Sequence, residues 1–272
     1  MSGPRVWLSG SVICLLFWAP VLQVIGAERV ITLAPHLTDM VVDIGASDQL
    51  VGVSRFSSLP SGHQQIPEVG DAFQLNVEQI MSLQPDLILA WEGGAPRTVA
   101  RLTELGFQII FFNSDQLSDI AENYAKLGRV LGKTVRGRDL GNTFRNALQV
   151  LGEQYRTKSQ KRVFMQIAEE QLFTTNNKHF MGQALSVCGA ENIFAEAIVQ
   201  IPVVSLEQVL LEAPDVIVLV GTPNAPSDWS SRWSRYLPTT RIVRIDADLL
   251  SRPSRRILSG VEALCREVHY EG

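Results

Sequence analysis

Only three cysteines and four histidines occur among 272 residues, and none of them stand at the spacing of a zinc site. Positive charge is not in excess either: 24 Lys and Arg against 28 Asp and Glu give a net charge of −4. Without clustered positive charge, a dedicated nucleic-acid surface is excluded. Catalytic signatures are missing as well. There is no Gly-x-Ser-x-Gly elbow, no Gly-x-Gly-x-x-Gly turn and no His-Glu-x-x-His helix. Gly128-Arg-Val-Leu-Gly132-Lys133-Thr134 imitates a phosphate loop, but it has three residues between the glycines where four are needed. It reads instead as a helix terminus with Gly132 just past the end. An exported α/β enzyme is therefore the weaker alternative, with no visible nucleophile and base.

What is present is apolar bulk. Hydrophobic residues make up 46% of the chain, enough for a real core, and the length suits two compact lobes or one large domain. The first apolar run, Val6–Phe17, follows Arg5 and is broken by Pro20, with Gly26 and Ala27 as small residues at a cleavage point. Residues 1–27 thus read as a secretory signal peptide, the rival being an uncleaved anchor. Cys14 lies inside the run with no small residue directly before it, which argues against lipidation. Removing the leader leaves Cys188 and Cys265, an even pair that suggests a disulfide in an exported chain. Both fall on apolar helix faces, Met181/Leu185/Cys188 and Ile257/Val261/Leu264/Cys265. Two buried free thiols are the competing reading.

Short apolar runs alternate with amphipathic stretches, the pattern of a parallel α/β sheet. Strands are expected at 30–34, 50–54, 86–91, 107–113, 162–168, 215–221 and 241–246. Between the halves, Leu140, Phe144, Leu148, Leu151 and Tyr155 recur at helical spacing. A helix of about 24 residues, roughly 36 Å long, would bridge two lobes as a stiff strut. The divisions expected are 28–134 for the first lobe, 135–159 for the bridging helix and 160–272 for the second lobe.

An internal repeat supports the two-lobe reading. Asn76-Val-Glu78-Gln79 followed by Pro85-Asp86-Leu-Ile-Leu matches Ser205-Leu-Glu207-Gln208 followed by Pro214-Asp215-Val-Ile-Val, at a constant offset of 129 residues. Each copy is expected to open with a capping box, Asn76 with Gln79 and Ser205 with Gln208. Glu78 and Glu207 then sit in the first helical turn of each copy. A carboxylate there favours the helix dipole; equally, one carboxylate per lobe would suit a twofold partner with basic sockets. Trp91-Glu92-Gly93-Gly94 ends a strand, where ligands of open α/β sheets bind, and its glycines would let the backbone approach a ligand closely. Phe56, Phe73 and Phe173 also lie near strand ends.

The leader, Arg29-Val-Ile-Thr-Leu-Ala-Pro35, Thr38-Asp39, Leu50-Val-Gly-Val-Ser54, the two Glu-Gln…Pro-Asp repeats and Cys188-Gly-Ala-Glu-Asn-Ile-Phe194 together resemble the periplasmic substrate-binding proteins of ABC importers. The type is the helical-backbone one that serves cobalamin, siderophores and haem, and the likeness is greatest to its cobalamin-binding branch. It covers nearly all of residues 29–268. The resemblance implies two α/β lobes with mostly parallel sheets, joined by one long helix, with cobalamin or a related corrinoid carried in the cleft between them. The corrinoid is transported cargo; no resident cofactor or metal is implied, and the protein would act as a monomer in the periplasm. Ligand contacts would come from His36, Phe56, Phe73, Trp91, Phe173, Asp248 and Arg252. Glu78 and Glu207 would dock on a dimeric permease in the inner membrane, and Cys188 with Cys265 would form the family disulfide. Ile201 and Phe73 replace two pocket tryptophans, and His36 stands where the cobalamin receptor has a small residue. A haem or ferric-siderophore carrier of the same fold, using His36, Arg55, His179 or Arg252, is the alternative.

Overall fold

The computed structural model describes residues 26–222 and 228–270; the expected leader, apart from Gly26 and Ala27, lies outside the described residues. Two four-stranded sheets carry the chain. The first holds β1 (Val30–Thr32), β2 (Leu50–Gly52), β3 (Leu87–Trp91) and β4 (Ile109–Phe112) in the order β2-β1-β3-β4. The second holds β5 (Arg162–Gln166), β6 (Glu191–Asn192), β7 (Val216–Gly221) and β8 (Arg241–Asp246) in the matching order β6-β5-β7-β8. Every pairing within them is parallel. Parallel strands are covered on both faces, which is why Leu87–Ala90 and Val216–Val220 are apolar without interruption.

Helices α1 (Pro35–Ile44), α2 (Val77–Ser82), α3 (Pro96–Glu104) and α4 (Leu117–Val130) belong to the first lobe. The second contains α6 (Phe180–Val187), α7 (Leu206–Glu212), α8 (Asp228–Tyr236), α9 (Ala247–Leu250) and α10 (Ile257–Val268). Between the sheets in sequence runs α5 (Thr134–Tyr155), 22 residues long, or about 33 Å. It buries Leu140 and Phe144 and exposes Arg138, Arg145 and Gln149, with Arg156 exposed just past its end. The turn into it is a Schellman motif. Lys133 N–H donates to Gly128 O at 2.7 Å and Gly132 N–H to Arg129 O at 3.4 Å, with Gly132 at φ +70°. Glycines then let α4 and α5 cross closely. A Cβ on Gly137 would lie 2.4 Å from Tyr124 O, and one on Gly141 2.5 Å from Ala121 O.

The strand period of two sorts the core. Val30, Leu87, Leu89, Val163, Met165, Val216 and Val218 face one apolar core that continues through Tyr124, Phe144, Leu185 and Leu264. Their neighbours point the other way into separate clusters, Ile31 with Ile80 and Ile88 in the first lobe and Phe164 with Ile217 and Trp233 in the second. The two lobes thus share a core on one side and each keeps its own on the other.

The repeat is realised in detail. Asp86 accepts the N–H of Glu28 at 2.8 Å and of Arg29 at 3.1 Å, while Asp215 accepts the N–H of Arg162 at 2.8 Å. Arg29 donates to the carbonyls of Leu83 and Gln84, and Arg162 to the carbonyl and carboxylate of Glu212. Gln84 and Ala213, each preceding the proline, both adopt left-handed backbone at φ 46° and 43°. The capping differs from expectation. Ser205 and Gln208 complete a capping box at α7. At α2, Asn76 accepts from Gln79 N–H at 3.0 Å, but its own N–H is already given to Val69 O at 2.8 Å, so the reciprocal bond has no donor left.

Candidate ligand-binding cleft

A cavity of about 310 Å³ lies between the lobes, near the small end of the range for small-molecule sites of about 300–1,000 Å³. From the first lobe it is lined by Ala34, Pro35 and His36 after β1, Trp91 at the end of β3, and Ser114 and Asp115 after β4. The second lobe contributes Ile167 after β5 and the start of α6 from His179 to Met181, among others. These are carboxyl ends of parallel strands, where backbone groups and helix starts converge. Larger hollows exist among the described residues, one of about 590 Å³ on the first lobe beside Glu78 and one of about 460 Å³ between the lobes at Asp39 and Arg256, but both are more polar surface recesses. The cavity at Trp91 and His36 sits at the strand ends and is mainly apolar.

Two histidines face this cavity from corresponding places, at the start of the helix that follows the first strand of each sheet. His36 lies in the first turn of α1, and His179 is the N-cap of α6, its Nδ1 accepting from Met181 N–H at 3.3 Å. Burial lowers the pKa of His36 to about 3, with the Arg252 charge adding to the effect. Burial likewise lowers His179 to about 4, against a smaller opposing pull from Asp115. Both rings are neutral at pH 7. In the unfolded chain each would titrate near 6.5, so between that value and the folded pKa the unfolded state binds more protons. Stability therefore falls as pH is lowered from 7 toward 4. At pH 5 the loss is up to about 2 kcal/mol per ring, read as a lower urea midpoint. Replacing both histidines with alanine should flatten that dependence. Asp39, whose carboxyl is raised by burial, acts in the opposite sense, since its cost grows as pH rises.

Trp91 forms one wall. Its indole meets His36 edge to face, with ring centroids 6.0 Å apart and an interplanar angle of 87°. The following glycines serve the indole and not a ligand's approach to the backbone. A Cβ on Gly93 would lie 2.3 Å from Trp91 Cζ2, and one on Gly94 3.3 Å from Cε3. Of the other expected contacts, Phe56 and Phe73 are 68% and 92% exposed, and Phe56 holds left-handed backbone at φ 65°, a strained conformation for an aromatic residue. Phe73 follows Ala72, a lining residue. Phe173 bridges Val203, near the lining residue Ile201. Phe56, Phe73, Phe173, Asp248 and Arg252 are not among the residues that wall the cavity.

Asp248 and Arg252 instead belong to a clasp beside it. Arg252 donates to Asp248 Oδ1 at 2.8 Å and lies 4.0 Å from Asp39 of α1. Arg256 reaches Asp39 at 3.3 Å, and Arg255 reaches Asp43 at 3.1 Å. Tyr124 OH donates to Asp43 at 2.6 Å and accepts from Arg255 N–H at 2.8 Å. The 252–256 segment thus ties the second lobe to α1 and α4. Sequence reasoning did not anticipate this clasp, nor Phe180, Met181 and Ile167 as lining, because those side chains look like ordinary core until the lobes are brought together.

Glu78 and Glu207 are both exposed in the first turns of α2 and α7. The Glu207 carboxyl is held below its usual range by its own backbone N–H and then by the Ser205 hydroxyl. Among the described residues neither glutamate is in an ion pair. Cys188 and Cys265 are joined in a disulfide, both sulfurs buried between α6 and α10.

Residues 30–234 match the periplasmic binding protein family model. The vitamin B12-binding protein of Vibrio cholerae serotype O1 is 36% identical over 243 residues, covering 88% of each chain. That of Yersinia pestis is 35% identical, covering 89% of this chain and 86% of its own. The crystal structure of the periplasmic vitamin B12 binding protein of Vibrio cholerae superposes with a TM-score of 0.78 at 35% identity, over 89% of this chain and 96% of that one. A periplasmic haem-binding protein from Pseudomonas aeruginosa shares the fold with a TM-score of 0.76 at 23% identity, over 89% and 93% of the two chains. These relatives are named as binding proteins, and by sequence and by fold the chain belongs to the periplasmic binding protein family.

Proposed function

We propose that this protein captures cobalamin or a related corrinoid in the inter-lobe cavity and delivers it to an ABC importer, without catalysing a reaction. The observation that carries this reading is the cavity itself, lined by both lobes at the strand ends and walled by Trp91, in a chain 36% identical to a vitamin B12-binding protein. A large flat ligand gains from aromatic area. The cavity holds the deepest part of a corrinoid, and the exposed Ile201 on its lining and Phe73 next to the lining residue Ala72 offer apolar surface for what projects beyond it. Glu78 and Glu207 are the permease contacts in this reading, one from each lobe. Residues 1–27 are the export signal, and the mature chain works in the periplasm as a monomer.

Calorimetric titration with cyanocobalamin and with haemin tests the ligand. One-to-one binding of cyanocobalamin supports the reading; binding of haemin alone would move the protein to the haem carriers of the same fold. Trp91→Ala should weaken cyanocobalamin binding about 10- to 100-fold, the loss expected from exposing an aromatic wall worth about 1.5–3 kcal/mol. Unchanged affinity in a folded variant would show the indole to be purely structural.

A further inference from the structure

Among the described residues fourteen large apolar side chains are exposed, and seven of them lie within nine residues of Glu78 or Glu207. Two stretches that short would hold far fewer if exposed apolar residues were scattered singly, as on an ordinary surface. Phe73 and Ile201 border the cleft and belong to the cargo. The other five, among them Met81, Val203 and Leu211, do not wall the cavity.

Helical spacing sets two of these on the same face as a glutamate. Leu211 follows Glu207 by four residues, one turn of α7, and is 85% exposed while Val209 takes the core. Met81 follows Glu78 by three residues on α2 and is 48% exposed while Ile80 takes the core. Glu78 and Met81 also line one recess of about 590 Å³. Folding explains neither pair. The carboxylates have no ion-pair partner among the described residues, and the apolar side chains are left in water. An unpaired carboxylate with exposed apolar surface one turn further on thus occurs once in each lobe, although the register differs by one residue.

We propose that Met81 and Leu211 are the apolar half of the permease-docking surface, so that each basic socket of the permease is bordered by apolar side chains. This rests on the reading of Glu78 and Glu207 as permease contacts, and the permease is the occupant because the apolar side chains continue the surface those carboxylates present. The two halves divide the work. Charges act before contact, setting orientation and association rate, and salt screens them. Apolar side chains act once water has left the interface, and they set how long the complex lasts.

Interferometry of the cobalamin-loaded protein on the permease dimer in nanodiscs reads both rates. Met81→Gln combined with Leu211→Gln introduces polar side chains that favour helix equally well, so Tm and cyanocobalamin affinity should match wild type. Dissociation should quicken at least 10-fold, with the association rate and its salt dependence unchanged. Glu78→Ala combined with Glu207→Ala should do the reverse, slowing association and flattening its salt dependence. A wild-type dissociation rate in the glutamine variant overturns the apolar role and leaves the glutamates standing. Wild-type association in the alanine variant overturns the docking reading and this inference with it. Met81 also allows a test on the unaltered protein. Met40, Met165 and Met181 are buried, so Met81 is the exposed methionine among the described residues. Peroxide should convert it to the sulfoxide in the free protein, and bound permease should slow that conversion at least 10-fold by mass spectrometry. An unprotected Met81 in a complex that otherwise forms overturns the proposal. So does a dimer of the protein alone, seen in analytical ultracentrifugation and lost in the glutamine variant, which would assign the surface to a second copy of this chain.

Discussion

Cys188→Ala combined with Cys265→Ala lowers the unfolding free energy by about 4 kcal/mol, the chain-entropy value for a loop of this length. The bridge closes a sequence separation of 77 residues between the end of α6 and α10. Both half-cystines are completely buried, and they lie among Leu185, Val261 and Leu264, so the staple crosses the shared core and not its edge. Neighbouring contacts depend on it. His269 Nε2 lies 2.6 Å from Cys188 O, and its ring stacks on Tyr155 of α5 with centroids 5.4 Å apart. For a chain of this size a loss of about 4 kcal/mol corresponds to roughly 8–16 °C in Tm. Calorimetry of the double variant, beside wild type with and without reductant, measures it. A shift of under about 2 °C would mean that packing alone holds α6 to α10.

Glu78→Ala combined with Glu207→Ala is expected to abolish uptake while ligand binding and folding persist. Each carboxylate is exposed, and the two occupy the same position of a repeated helix. Were they only partners of the helix dipole, removing either would cost a few tenths to about 1 kcal/mol of stability and leave transport intact. Exposed charges facing basic sockets act mainly on orientation and association rate, so each single variant should be mild and the pair severe. The Glu207 carboxyl already bonds its own helix end, which makes Glu207→Ala the single variant with the larger effect on stability. Association of the ligand-loaded double variant with the permease in detergent or nanodiscs is the direct measurement. Wild-type association would reduce the matched glutamates to a relic of duplication.

Seven of the eight strands among the described residues are legible in the sequence because parallel strands are buried on both sides and print apolar runs, unbroken at Leu87–Ala90. The eighth, Glu191–Asn192, is too short to show a period. Helix α8 escaped because its face is polar and only Trp233 is buried. The bridging helix was readable from Leu140 and Phe144, and the long separation of the cysteines did not hide their common apolar setting. The cleft was read less completely. Trp91 and His36 could be placed there from sequence position, whereas the clasp of Arg252, Arg255 and Arg256 on Asp39 and Asp43 joins residues more than 200 positions apart. Charges that meet only in three dimensions leave no local pattern. The glycines after Trp91 were recognised as special, but their cause, the indole folded over them, required the structure.

The buttress made by Arg29 with Asp86, and by Arg162 with Asp215, has a consequence for how such a protein can diverge. Both sets of bonds lie at the amino ends of the strands, on the side of each sheet away from the cleft. The framework is therefore fastened at one end and the cargo is met at the other. Substitutions among the residues that follow β1, β3, β4 and β5 alter the shape and chemistry offered to a ligand while the fastenings stay whole. A new specificity can be tried without first risking the scaffold.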